Sequence, residues 1–225
     1  MSVLLFTASL VASTAASACP GAPVPYDGTD PAVTSPVWKS ALSLYAKARY
    51  DKALVQLRRE GARLESQAKI LFQHSPDGST APNARIQKFL VKTVYARPPA
   101  LQIVEDRFSF PAPVLSAWVD CACRAEAWLE ARTALRKLAV LRPGPELRAV
   151  EVALSLALDD VSSLRVQVRT LLPDALLSPL SEGRLALADG NPAGATALFD
   201  RAALAATTPE TRSLLEQVRR RGPTP

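Results

Sequence analysis

Cysteine and histidine, the side chains best suited to metal or redox chemistry, are scarce in this 225-residue chain, with three and one copies respectively. Cys121 and Cys123 stand two apart. On a helix such residues point to nearly opposite sides and cannot bridge each other. One would then face the core as a small apolar residue and the other a neighbouring helix. On a loop the same C-x-C pair can chelate or bridge, although no second ligand pair accompanies it. His74 sits in the polar run HSPDGSTAPNA with no Cys/His/Asp cluster at ligand spacing, and reads as a surface or capping residue. A Ser-His-acid triad would have to use this same His74, and no serine has the context of a nucleophile elbow. The acidic pairs Glu105-Asp106 and Asp159-Asp160 fall at expected turns, where Asp caps helices more often than it transfers protons. No phosphate-cradling or dinucleotide-binding glycine loop and no zinc-protease motif occurs. The expectation is a protein that is not an enzyme, with no catalytic residue, no cofactor and no metal.

Cys19 is a different case. Residues 1–18 carry no charged side chain, are apolar from Val3 to Val11, and end in Ala16-Ser17-Ala18. That is the pattern of a secretory signal peptide with its A-x-A cleavage site, and it is too short to span a bilayer comfortably. No Lys or Arg precedes the apolar run. The junction Ala16-Ser17-Ala18-Cys19 resembles a bacterial lipobox, with Ala where Leu is usual three residues before the cysteine. The resemblance implies lipidation of Cys19 and anchorage to a membrane; cleavage by a general signal peptidase at the same place would instead release a soluble exported protein. Residues 19–35, rich in Pro, Gly and small polar side chains, read as an extended tether, with Tyr26 and Asp27 as the residues able to dock on the body.

Charge is uneven. The net +6 of the whole chain is concentrated between Lys39 and Arg97, where twelve basic residues face four acidic ones, while the remainder from Pro98 is balanced. Lys52, Arg59 and Arg63 share one helix face, which is either solvated or turned toward an anion or lipid.

The elements that must carry these residues are helices. Apolar residues make up 48% of the chain and aromatics only 6%, so packing through Ala and Leu is favoured over a sheet. Several of the 19 prolines follow a capping residue, as in Ser35-Pro36, Ser178-Pro179, Asn191-Pro192 and Thr208-Pro209, and mark helix starts. In Leu180 to Ala202 small residues at Gly183, Gly190, Ala195 and Ala202, with Phe199 four after Ala195, describe two helices around a tight turn. Ala41, Ala53 and Leu57 repeat the positions of Gly183, Ala195 and Phe199. Ala131, Leu164 and Ala195 recur 33 and 31 residues apart. These residues resemble a tetratricopeptide repeat protein over about residues 36–57 and 115–205.

The expected fold is all-α, a short right-handed solenoid of about five helical hairpins over residues 36–221. An irregular insertion spans about 74–113, with a helix near 82–95, and residues 222–225 form a tail. The last helix, from Pro209, reads as a cap whose Arg219-Arg220-Arg221 complements its own dipole. The resemblance implies a scaffold that binds a protein segment along the first helices of each pair, around Lys39, Ser43, Lys47, Arg148, Ser155 and Arg184. With export, this suits a protein of the Gram-negative periplasm or outer membrane, in a secretion, pilus or motility assembly. The competing class is a module binding an anionic envelope polymer or lipid through Lys52, Arg59, Arg63 and the basic half. Nucleic acid is disfavoured, because no aromatics interleave the basic face.

Overall fold

Four tight turns set the architecture. Each ends a helix with one residue in the left-handed region: Ala48 (φ 55°), Glu126 (φ 53°), Asp159 (φ 59°) and Gly190 (φ 75°). In each, the next residue's amide reaches back to a carbonyl five positions earlier: Arg49 to Leu44, Ala127 to Ala122, Asp160 to Ser155, and Asn191 to Ala186, at 2.8–2.9 Å. This double-bonded helix end satisfies carbonyls that would otherwise be orphaned, and it reverses the chain within three residues.

The computed structural model describes residues 19–26, 36–71 and 110–222. Their helices are α1 (Pro36–Ala46), α2 (Tyr50–Leu71), α3 (Ala112–Arg124), α4 (Trp128–Leu141), α5 (Pro145–Leu158), α6 (Val161–Gln167), α7 (Leu177–Ala188), α8 (Pro192–Ala205) and α9 (Pro209–Arg219). A single 3-10 turn, Val168–Thr170, follows α6. No strand occurs among the described residues, and the all-α expectation holds. The helices pair as α1/α2, α3/α4, α5/α6 and α7/α8, with α9 closing the array.

Packing follows the turns. Five residues after each turn stands a fully buried side chain: Ala53, Ala131, Leu164 and Ala195. Seven residues before the last turn, Gly183 leaves room for Phe199; a Cβ there would lie 2.6 Å from the ring. The equivalent Ala41 and Leu57 are both fully buried. A second close approach went unread in the sequence: a Cβ on Gly61 would lie 2.3 Å from the Trp118 ring, so α2 touches α3 through a missing side chain. Trp118 donates to Glu130 at 2.7 Å, and Glu130 also accepts from Arg58, which ties α2, α3 and α4 together.

Ion pairs repeat with the units. Arg132 reaches Asp160 at 2.7 Å, and Arg165, six residues past its own turn as Arg132 is past its, reaches Asp189. Asp160 also caps α6 by accepting from the Ser163 amide at 3.0 Å.

Several expectations change. Pro192 and Pro209 do open helices, under Asn191 and Thr208 caps. Ser178 caps nothing of the kind: α7 begins at Leu177, and Asp174 accepts from the Leu176 and Leu177 amides instead. α3 starts at Ala112, so Pro111 and Pro113 begin a helix rather than close the irregular stretch. The helix expected near 82–95 and the rest of the insertion up to residue 109 lie outside the described residues, as do the signal peptide and His74. Finally, α9 packs on α5 as well as on α7 and α8. In a simple solenoid each repeat meets only its neighbours, so this contact folds the C-terminal units back on themselves.

Candidate functional site

The α3–α4 turn gathers most of the chemistry. Asp120, near the end of α3, is 2% exposed, and its carboxylate accepts from Tyr45 Oη at 3.0 Å and Arg124 Nε at 3.1 Å. The Arg124 guanidinium lies 3.9 Å over the Tyr50 ring, and Tyr45 meets Tyr50 edge-on at 5.5 Å. Burial first, then the Asp120 charge and hydrogen bond, push the Tyr45 phenol far above its ordinary value, so it stays a donor. A buried carboxylate survives only with such partners.

Around this network opens a cleft of about 510 Å³, lined by Pro20, Tyr50, Cys123, Arg124, Glu126, Trp128, Pro209, Glu210, Leu214 and others. Its walls come from the start of α2, the α3–α4 turn and the first turns of α9. Tyr50 and Trp128 supply rigid aromatic surface; Arg124, Glu126 and Glu210 supply both signs of charge. The Glu210 carboxyl is held below its ordinary value, chiefly by its own backbone amide and then by Thr208, with Arg124 adding to the effect.

One wall is covalent. Cys19 Sγ is bonded to Cys123 Sγ across 104 residues of sequence. This bond bears on three sequence expectations. A sulfur in a disulfide carries no thioether, so Cys19 is not free here to take a lipid. The C-x-C pair lies on α3, which rules out the loop reading, and Cys123 turns to the N-terminal segment rather than to a helix. Residues 19–26 are no free tether: Cys19, Ala22 and Val24 belong to the main apolar core. Cys121 is a buried free thiol, pushed up to about 12 by burial and the neighbouring Asp120 charge, and is inert near neutrality.

The residues expected to line a partner surface divide. Lys39 and Ser43 are exposed on α1 and Lys47 just past its end, as is Lys52 on α2. Arg59 and Arg63 are exposed but both face the buried Glu60, at 3.5 and 2.8 Å. Arg148 is paired with Glu151 at 2.6 Å. Ser155 and Arg184 are 1% and 2% exposed and form no surface at all. Arg184 is a structural arginine: Nε meets Asp159 Oδ1 at 2.7 Å and Nη2 meets Oδ2 at 3.2 Å. Arg221 joins the same Asp159 at 3.4 Å and donates to the Leu156 and Ala157 carbonyls. It therefore caps α5 rather than its own helix, where a cation complements the carbonyl end of the dipole.

Sequence reasoning missed the cleft. Tyr50, Asp120, Arg124, Trp128 and Glu210 are scattered over 160 residues; the packing of α2, α3 and α4 gathers the first four, and α9, seated on α5, α7 and α8, brings Glu210 to the cleft. A usable signal was the combination of Asp120 and Arg124 at i,i+4 next to two cysteines. Among the described residues no group of three His, Cys, Asp or Glu is placed to hold a metal, and no helix is long and apolar enough to cross a membrane. No protein-family model matches the chain, and neither a curated protein nor a solved structure matches it.

Proposed function

We propose that the chain is an exported, non-catalytic helical-repeat module that binds a protein partner in a cell-envelope assembly. The observation that carries this reading is the cleft at the α3–α4 turn. It offers aromatic surface from Tyr50 and Trp128 and charges of both signs from Arg124, Glu126 and Glu210. Interfaces concentrate binding energy in such aromatic and arginine anchors. The recurrent turns and buried small residues support the likeness to tetratricopeptide repeats, a scaffold class. Export is supported by the Cys19–Cys123 bond, because disulfides persist in oxidising compartments and are rare in the cytoplasm. Membrane anchorage through a Cys19 lipid is not part of the proposal.

A second reading is retained for a specific reason. Lys39, Lys47 and Lys52 are exposed on the first hairpin, and an anionic envelope polymer or lipid headgroup would find them there. Glu60 and Glu130 take up Arg59, Arg63 and Arg58, which weakens this alternative.

Crosslinking capture from an envelope fraction separates the two. The partner reading expects a discrete protein captured by the intact chain, retained at high salt, and lost with Trp128→Ala. Binding that collapses with salt and depends on Lys39 and Lys47, with Trp128→Ala silent, would replace it by the polymer reading.

A further inference from the structure

Residues 19–26 have no helix to belong to, yet they are packed as tightly as one. Ala22 and Val24 are 1% and 9% exposed, while Pro23 and Pro25 between and after them face outward. From Ala22 to Pro25 the side chains therefore alternate between the body and solvent. Its seat has three parts. Cys19 is bonded to Cys123 in the last turn of α3. Gly21, with φ 74°, lies against Leu176 and Leu177 at the start of α7, where a Cβ would come within 2.6 Å of Leu176. The Tyr26 ring meets Tyr45 of α1 at 4.8 Å. A hydrogen-bonded turn from Cys19 to Ala22 (3.1 Å), followed by inward Ala22 and Val24 with outward prolines, is the arrangement of a short peptide held in a groove. The difference is one covalent latch.

We propose that residues 19–26 are a built-in occupant of a peptide-binding seat, latched by Cys19–Cys123. Reduction of the latch by a dithiol protein frees the seat for a proline-spaced extended segment of a partner. The proposal rests on the reading of the chain as a protein-binding module. The incoming thiolate attacks Cys123 Sγ rather than Cys19 Sγ, because Cys123 lines the cleft and is 2% exposed where Cys19 is 0%. Cys19 leaves as a thiolate, takes up a proton and carries the strap with it. The second thiol of the dithiol then displaces Cys123, which is also protonated. Two electrons and two protons pass to the chain, and the dithiol ends as a disulfide. The segment that fits the seat follows the pattern of Ala22-Pro23-Val24-Pro25, a small apolar residue at alternate places with proline between. Prolines hold such a segment extended before it binds, so less order is lost on binding.

The test uses the full chain and a fluorescent peptide, Ser-Pro-Gly-Ala-Pro-Val-Pro-Tyr, which copies the strap with serine for cysteine. Anisotropy is read with and without dithiothreitol, alongside hydrogen exchange of the strap amides. In the oxidised chain the tethered strap excludes the peptide. Reduction should tighten binding at least about tenfold, and Val24→Asp in the reduced chain should tighten it further by weakening the competing strap. The same peptide with Asp in place of its Val should not bind. A reduced chain that keeps its strap protected and ignores the peptide overturns the proposal. So does a reduced chain that loses its helical circular dichroism, since the bond is then a staple of the fold. Either failure leaves capture of a partner by the oxidised chain through Trp128 standing as a separate result.

Discussion

The turns at Glu126 and Asp159 have the same backbone and opposite uses. Both end a helix at a left-handed residue, with φ of 53° and 59°, and both precede a fully buried position five residues on. At Asp159 the turn side chain stays partly exposed and is gripped by two arginines, the buried Arg184 of α7 and Arg221 just past α9. At Glu126 the turn side chain stays out, and closure comes from the strap and its bond to Cys123. One turn is sealed by charge, the other by a covalent bond beside an open cleft. A repeated backbone device thus leaves the choice between a structural joint and a binding site to a few side chains around it.

The largest effect should come from cutting the covalent closure. Cys123→Ser releases a loop of about a hundred residues and should cost roughly 3–5 kcal/mol of stability, read as a lower midpoint in urea, with the Asp159 joint intact. The converse variant, Asp159→Asn, removes the charge facing the buried Arg184 and the half-buried Arg221; with the carboxylate partly exposed, about 1–2 kcal/mol is expected. That loss should be unaffected by reductant. If the two losses fail to add in the double variant, the turns are not independent.

Smaller effects sharpen the picture on the open side. Gly61→Ala drives a methyl into the Trp118 ring and should cost about 1–3 kcal/mol, with a change in tryptophan fluorescence. Acid should act through Glu130 and Asp160. Burial pushes the Glu130 carboxyl up, but bonds from Arg58 and Trp118 outweigh it and leave it below its ordinary 4.5. Bonds from Ser162 and Ser163, then Arg132, hold Asp160 well below 3.8. Both folded values are depressed, so the stability they give is complete above about pH 5 and is lost as pH falls through the folded values. Replacing Glu130 by Gln should flatten that acid limb measurably, whereas a limb unchanged by this variant would remove Glu130 from the account.

The sequence shows the scaffold better than the site because the scaffold is local. Gly183 and Phe199, or Ala53 five residues beyond Ala48, signal through spacing within one hairpin. The Cys19 partner lies 104 residues away, and no spacing rule connects them. The strap misled through composition: Pro, Gly and Ala suggest a tether, and the alternation of Ala22 and Val24 is only two residues deep. Position in the repeat puts Ser155 and Arg184 on a surface. The return of α9 onto α5 covers that side, and an arginine with a carboxylate to meet can be buried when its type argues otherwise.

Peptide mapping of the unreduced protein from its native fraction bears most directly on the central claim, that Cys19 is spent on closing the α3–α4 turn. The account predicts a linked pair containing Cys19 and Cys123, with Cys121 alone taking an alkylating label after unfolding. A Cys19 peptide carrying a diacylglycerol group, with Cys123 free to be labelled, would contradict it and return the chain to a lipid anchor.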